Sequence, residues 1–391
     1  MSFSELDAKF MQTALELAWQ GRFSTSPNPR VGCVITHGEQ IVGQGFHVCA
    51  GQPHAEIHAL HQAGYLAKAA TAYVTLEPCS HTGRTGPCAQ ALIDAHIKRV
   101  VVAMSDPNPL VKGNGLHMLQ KAGIQVDSGL FAQQARELNS GFLSRQERNK
   151  PYIRLKIAAS LDSKTALSNG LSQWITGEAA RDDVQTLRAE SCAILTGVNT
   201  ILADDPLLNV RRFSTLRQPL RIILDSRLRL TPEYQVIQDI KSPTLIITTV
   251  TDSAKKAIFA SYPHVSILTV PANLRGQIDL QKLWAILAKR DIGSILVEAG
   301  SILNSALLTA DAVDEIIYYQ APKILGANAR NAIEISENPN ALTEQKWQTV
   351  DVKVLGQDCR WLLRHRESAE WLAGKAASEA KLAAYQINSS E

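Results

Sequence analysis

Residues 54 to 88 hold the densest chemistry in the chain. PHAEIHAL sets His54 two positions before Glu56 at the start of a predicted helix, and LEPCSHTGRTGPC follows with Cys79 and Cys88. Imidazole nitrogen and thiolate sulfur are donors that zinc favours, and a catalytic zinc takes three protein ligands and keeps a fourth position for water. His54, Cys79 and Cys88 supply that set. Zinc lowers the pKa of its water toward neutrality, and a carboxylate outside the ligand set then carries protons from that water to a leaving amine. Glu56 is the candidate carrier. The residues by themselves leave two plainer readings open. One is a pair of buried thiols beside an ordinary His-x-Glu; the other is a closed structural zinc site with His81 or Cys49 as fourth ligand.

Such groups need a rigid frame. Short apolar runs, VGCVIT, QIVGQGF, TAYVTL and RVVVAM, alternate with helical stretches around AEIHALHQAG, CAQALIDAHI and GLHMLQKAG. This predicts an α/β fold, a sheet covered by helices on both faces. Ahead of it, Ser4 as N-cap, Asp7 in the first turn, Leu6, Phe10, Ala14 and Leu17 on one face and Gly21 as a stop predict an amphipathic helix. The polar run SRQERNKPYI places a domain boundary near residue 148. From 149 to 366 the rhythm restarts, with YIRLKIAASL, CAILTG, LRIILD, TLIITT, SILTV, SILVEAG and EIIYYQAPKIL as strands and WQTVDVKVL with RWLLRH as an antiparallel pair. Residues 367–391, rich in Ala, Glu, Lys and Ser, read as an exposed helix or a frayed tail with no assigned function.

Composition narrows the function classes. A chain of 391 residues has room for two domains, each with its own core. With 40 Lys and Arg against 37 Asp and Glu, there is no basic footprint for nucleic acid, and a small ligand is the expected partner. No uninterrupted apolar window is long enough for a membrane span, and the opening segment lacks an apolar core of signal-peptide type. A cytoplasmic protein is expected, where six cysteines point to thiols and metal ligation rather than to a disulfide framework. His58 and His61, four and seven positions after His54, read as helix-packing or surface residues.

The second half has no G-x-G-x-x-G, so no nicotinamide cofactor is announced by that fingerprint. SILVEAGSILNSALL runs a buried-type strand into Gly300 and Ser301 and then a helix. That turn aims backbone N–H groups at an anion, and it is also a common structural turn. Lys156 reads either as a group that assists hydride transfer or as a solvated strand lysine.

His-x-Glu followed by Pro-Cys and a second Cys is the signature of zinc deaminases acting on nucleobases, here with eight residues between the cysteines instead of two. SPNPRVGCVI, GFHVCAGQPHAE and TLEPCSHTGRTGPC together resemble the deaminase half of the bifunctional riboflavin-biosynthesis (RibD) family. KIAASLDSKTA, SQWIT, LRAESCAILTGVNTILADDPLLNVR, RIILDS and LVEAG resemble its reductase half. The resemblance implies a cytidine-deaminase-like domain with a zinc site, followed by a dihydrofolate-reductase-like domain. It implies one Zn2+ per chain, NADPH as hydride donor and a phosphorylated ribosylaminopyrimidine as substrate; no nucleic acid or membrane partner is expected from the composition, and a homo-oligomer is expected.

Residue by residue, it implies that Asn28 and His47 hold the pyrimidine and that His81 and Arg84 meet the ribose phosphate, which gives the long zinc loop a purpose. Cofactor contacts fall on Ala158, Trp174, Thr200, Asp204, Ser226 and the run Gly300, Ser301, Ile302, Leu303, Asn304, Ser305 and Ala306. Substrate contacts of the reductase fall on Ser172, Arg188, Leu208, Arg211 and Glu298; the two arginines are expected to grip the phosphate, and Trp174 to stack on a flat ring. Two positions depart from the family pattern. Gly86 stands where a second proline is usual, and Ser163 stands where glycine is usual, which matters if that backbone needs positive φ. Two rivals remain at this stage: a nucleic-acid base deaminase with a docking domain, and a reductase carrying a structural zinc module.

Overall fold

Ser4 and Asp7 close a capping box in the computed structural model: the Asp7 N–H donates to Ser4 Oγ at 3.1 Å and the Ser4 N–H donates to Asp7 Oδ2 at 3.0 Å. The structure describes residues 3–80, 86–108, 111–337 and 344–374. Two units form, one built on Met1–Arg148 and one on Asn149–Trp371.

The first unit runs α1 (Glu5–Gln20), β1 (Gly32–His37), β2 (Gln40–Phe46), α2 (Ala55–Ala63), β3 (Thr71–Val74), α3 (Cys88–Asp94), β4 (Arg99–Val102), α4 (Asn114–Lys121), β5 (Gln125–Ser128), α5 (Ala132–Leu138) and α6 (Ser140–Arg148). Its sheet has the order β2-β1-β3-β4-β5, with β1 antiparallel to β2 and β3, and β3, β4 and β5 parallel. Ala72 and Val74 join the core under α2 and α3, while Tyr73 points to the other face and meets the Phe10 ring of α1 at 5.4 Å. Helices therefore cover both faces. Glycines in β2 let α2 lie against the strand: a Cβ on Gly43 would sit 2.2 Å from the Ala59 carbonyl oxygen, and one on Gly45 2.8 Å from that of Ala55. That close approach fixes the start of α2, where His54 and Glu56 stand.

One expectation shifts. The buried face of α1 is Asp7, Phe10, Met11, Ala14, Leu15 and Ala18, whereas Leu6 is exposed. The stripe is rotated because Asp7 turns inward to bind Arg99 of β4 at 2.6 Å and the Tyr73 hydroxyl at 2.8 Å. The first half of the polar run at 144–153 belongs to α6, which ends where Asn149 adopts φ 51 ahead of Pro151, and the two units divide between Arg148 and Asn149.

The second unit continues with β6 (Tyr152–Ser160), β7 (Lys164–Ala166), α7 (Glu178–Glu190), β8 (Ala193–Gly197), α8 (Val198–Asp204), β9 (Leu220–Leu224), α9 (Gln235–Gln238), β10 (Thr244–Thr248), α10 (Ser253–Ala257), β11 (Val265–Thr269), α11 (Leu280–Lys289), β12 (Ser294–Glu298), α12 (Ser301–Thr309), β13 (Glu315–Ala321), β14 (Arg330–Asn331), β15 (Trp347–Leu355), β16 (Asp358–His365) and α13 (Arg366–Leu372). Its nine-stranded sheet has the order β11-β10-β9-β8-β12-β6-β13-β16-β15, parallel as far as β13 and antiparallel for the last two strands. Ligands of such sheets bind outside the carboxyl ends of the parallel strands. Ser163, between β6 and β7, does take the left-handed conformation, at φ 57, and its Oγ bonds the Tyr318 hydroxyl at 3.1 Å. The start of the expected tail is ordered: within α13 the Ser368 hydroxyl donates to Asp314 at 2.7 Å, and Trp371 is buried with its ring 6.2 Å from Tyr152. Residues 375–391 lie outside the described residues.

The Asp7 cluster ties α1 to β3 and β4, and through Arg99 to Asp127 of β5 at 2.7 Å. Burial pushes the Asp7 carboxyl up, but Arg99, the Ser4 N–H and the Tyr73 hydroxyl outweigh it and hold the group well below the usual carboxylate range. A depressed native pKa adds stability that is complete above the unfolded value of about 4 and is lost as pH falls below it. Asp7→Asn is expected to cost about 2–3 kcal/mol in urea unfolding at pH 7. The gap to the parent chain should narrow as pH drops below about 4; a gap independent of pH would count against this assignment.

Candidate active sites

α2 and α3 bring the first constellation together. His54 caps α2, Cys88 opens α3, and Cys79 sits in the turn after β3. His54 Nδ1 lies 3.3 Å from Cys88 Sγ and 3.7 Å from Cys79 Sγ, and the three donor atoms fall within 4.8 Å of one another. One nitrogen and two sulfurs converging at this spacing fit a tetrahedral zinc with one position left over. Among the described residues no fourth His, Cys, Asp or Glu joins the group, so Cys49 is not the extra ligand; His81 lies outside the described residues. The Cys88 N–H donates to Cys79 Sγ at 3.3 Å. Bonding to Cys88, and then to His54, pushes the Cys79 thiol below its ordinary range, whereas bonding to Cys79 and burial push the Cys88 thiol up.

Glu56, in the first turn of α2, is buried against Cys88, and burial raises its carboxyl to about 7. A carboxyl near neutrality both gives and takes a proton at working pH. His47 is 5.2 Å from His54, edge to face, and is also buried. Its Nδ1 is 3.2 Å from the Pro53 carbonyl and its Nε2 3.1 Å from the Asn28 amide nitrogen, contacts satisfied together when Nδ1 donates and Nε2 accepts. Burial lowers the His47 pKa, which favours that neutral ring. Asn28 and His47 thus stand beside the ligand cluster; Arg84, with His81, lies outside the described residues. His58 packs against β2 at Gly45, and His61 is exposed.

A cavity of about 1220 Å³ forms the second constellation, at the carboxyl end of the parallel strands of the second unit. Every expected reductase residue lines it except Ser305, whose Oγ accepts the Glu334 N–H at 2.7 Å, away from the cavity. Lys156 on β6 is half-buried opposite Glu298 on β12 and lines the cavity, and burial pushes its ammonium below the usual lysine range. Arg188 of α7 forms a two-pronged pair with Glu298, at 2.6 and 2.9 Å, and donates its remaining nitrogen to the Asn209 carbonyl at 3.0 Å. Burial raises the Glu298 carboxyl, but Arg188, then Lys156 and Arg211, hold it below its ordinary value. With three of its five N–H groups engaged, Arg188 orients Glu298 and keeps two for a ligand of the cavity, which Arg211 also lines. The Trp174 ring is exposed and carries the Arg181 guanidinium at 4.6 Å. At the other end, α12 opens at Gly300, and the Ser226 hydroxyl accepts the Ile278 N–H at 3.3 Å. Backbone N–H groups at α12, beside Ser226 and Thr200, fit a dinucleotide pyrophosphate.

Residues 4–104 match the family model of the cytidine and deoxycytidylate deaminase zinc-binding region, and residues 151–359 that of the RibD C-terminal domain. RibD proteins of Escherichia coli and Haemophilus influenzae are 48% and 44% identical to the chain, covering 90% and 92% of it and 97% and 98% of their own lengths. The chain belongs to the RibD family. Among solved structures, Acinetobacter baumannii RibD aligns with a TM-score of 0.85 at 43% identity, over 92% of this chain and 99% of that one. The Thermotoga maritima diaminohydroxyphosphoribosylaminopyrimidine deaminase/5-amino-6-(5-phosphoribosylamino)uracil reductase aligns with a TM-score of 0.82 at 31% identity, over 92% and 99%. As a RibD protein the chain is a bifunctional deaminase and reductase of riboflavin biosynthesis that takes Zn2+ and NADPH.

The RibD motifs do not reveal what holds the Cys79 turn. Glu77 is buried, and its carboxylate accepts four backbone N–H groups, from Asp106 and Gly113 on one oxygen and Gly115 and Leu116 on the other, at 3.0–3.4 Å. Gly115 is pressed so close that a Cβ there would sit 2.0 Å from the Pro78 carbonyl. Gln185, which accepts the Arg211 N–H at 2.9 Å, plays a similar part in the second unit. Neither had a local signal, because their partners are distant in sequence. In Glu77→Gln an amide nitrogen must face two N–H donors, so zinc release to a chelator is expected to speed up about 10–100-fold. Unchanged release would show that the turn holds itself.

Proposed function

We propose that the first unit hydrolytically deaminates 2,5-diamino-6-ribosylamino-4(3H)-pyrimidinone 5′-phosphate and that the second then reduces the ribosyl group of the product to ribityl with NADPH. The observation that carries this reading is the buried Glu56 carboxyl, raised to about 7, beside a His54, Cys79 and Cys88 donor set with room for one more ligand. Zinc held there supplies Lewis acidity that activates water. Glu56 takes a proton from the attacking water and passes it to the departing amine, so that the carbon–nitrogen bond breaks and ammonia leaves. Asn28 and His47 hold the pyrimidine, and His81 and Arg84 receive its phosphate.

In the second unit NADPH, when bound, supplies the hydride. Thr200, Asp204, Ser226 and the turn from Gly300 to Ala306, Ser305 apart, hold it, with Ala158 and Trp174 flanking the ring. Glu298, aligned by Arg188, positions the sugar and pyrimidine, Arg211 takes the phosphate, with Ser172 and Leu208 alongside, and Lys156 passes a proton to the reduced sugar. Near-balanced charge supports a small ligand over nucleic acid, and among the described residues no helix is long and apolar enough to cross a membrane. The reading includes a cytoplasmic homo-oligomer.

The full chain given the diaminopyrimidine nucleotide alone should release ammonia, and should oxidise NADPH only after that step. Glu56→Ala is expected to lower ammonia release about 10²–10⁴-fold. Zinc content should be unchanged, as should NADPH oxidation on pre-deaminated substrate. Normal deamination by this variant would remove Glu56 from the mechanism. Arg211→Ala should raise KM for the deaminated nucleotide about 10–100-fold. The dephosphorylated analogue should be unaffected; an equal rise for both would place the phosphate elsewhere.

A further inference from the structure

Ser172 and Trp174 both line the cavity of the second unit, and both sit on a strap of irregular chain between the end of β7 at Ala166 and the start of α7 at Glu178. The first part of the strap holds itself. The Leu167 N–H donates to the Leu171 carbonyl at 2.9 Å, the Gly170 N–H to the Leu167 carbonyl at 2.9 Å, and the Leu171 N–H to Asn169 Oδ1 at 3.0 Å. From Ser172 to Thr176 there is no such turn. Among the described residues two hydrogen bonds reach this stretch, and both come from side-chain cations on other elements.

Lys323, just past the end of β13, donates its Nζ to the Trp174 carbonyl at 2.6 Å. Arg181 of α7 donates Nη1 to the Thr176 carbonyl at 2.7 Å and lays its guanidinium over the Trp174 ring, 4.6 Å from the centre. Packing does not fix the ring: Trp174 and Leu171 are 61% and 60% exposed. Its place is set by the bonds to its backbone and by the cation on its face. Both anchors are well held. The Lys323 carbonyl accepts the Leu161 N–H at 2.7 Å, and the Asp162 carboxylate accepts the N–H groups of Leu325 and Gly326 at 2.8–3.2 Å. Among the described residues neither Lys323 nor Arg181 forms an ion pair, so no carboxylate competes with the strap for their donors.

We propose that Lys323 and Arg181 are positioning residues of the reductase, clamping the strap at Trp174 and Thr176 so that the ring lies along the nicotinamide and Ser172 meets the nucleotide. The inference rests on the cofactor and substrate placements proposed above. Hydride transfer depends on the distance and angle between two bound ligands, and one strap carries a contact to each, so a loosened strap slows the chemical step as well as weakening binding.

The test is NADPH oxidation by the full chain on the pre-deaminated nucleotide. Lys323→Met, which keeps the length of the side chain and removes its donor, is expected to lower kcat and raise KM for NADPH, for a fall in kcat/KM of about 10–100-fold. Lys323→Arg, which keeps a charged donor, should recover most of that loss. Ammonia release by the first unit and the circular dichroism spectrum should be unchanged in both. Trp174 fluorescence, read as the difference between each protein and its Trp174→Ala counterpart, should be quenched by saturating NADPH in the parent and in Lys323→Arg, and less so in Lys323→Met. A parent-like kcat/KM in Lys323→Met would overturn the proposal. So would a loss that Lys323→Arg does not recover, or one with parent-like quenching, since Lys323 would then serve only the frame. Trp174→Ala separates the two layers of the reading. If it raises KM for NADPH while Lys323→Met does not, the cofactor placement stands and the clamp falls; if it leaves KM unchanged, the placement of Trp174 beside the cofactor falls and the clamp with it.

Discussion

Burying a carboxylate is tolerable only when donors surround it, and this chain is organised around four such groups. Asp7 takes Arg99 and Tyr73 and so pins α1 to the first sheet. Glu77 gathers four main-chain amides and so fixes the turn that carries Cys79. Glu298 takes both prongs of Arg188 and so stays charged inside the cavity of the second unit. Glu56 is the exception: among the described residues no arginine or lysine pairs with it, and burial outweighs its backbone N–H, His54 and the Cys88 thiol, raising its carboxyl to about 7. The three satisfied carboxylates build the frame, and the unsatisfied one does chemistry. Burial alone does not separate these roles; the donors around each group do.

Both sites also use the ends of elements. His54 and Cys88 stand at the starts of α2 and α3, where free amide groups favour negative charge on sulfur. In the second unit α12 starts at Gly300, directly after Glu298 ends β12, so a charged side chain and a set of amide donors reach the cavity from one turn. A chain reversal between strand and helix thus delivers two kinds of recognition group without lengthening the loop.

Much of this was legible in the sequence. Runs such as RVVVAM and SILVEAG became buried strands because parallel strands covered on both faces need continuous apolar residues. The capping box at Ser4 was readable because it is local, and the His54, Glu56, Cys79 and Cys88 set because metal ligation restricts residue type and order. The rest escaped for physical reasons. β5 is QVDS, with no apolar run to announce it, because it lies at the sheet edge. Arg188 was expected to hold a phosphate, and its pairing with Glu298, 110 positions away, had no local signal. Ser305 matched a cofactor position in order, but its place on α12 turns the hydroxyl toward Glu334.

The Glu77 arrangement bears on the order in which the first unit matures. His54, Cys79 and Cys88 all precede Asp106, Gly113, Gly115 and Leu116, the residues whose amides hold the Cys79 turn. During synthesis the donor set therefore leaves the ribosome before the segment that gives it shape. The shape of the zinc socket thus depends on residues made after all three of its ligands.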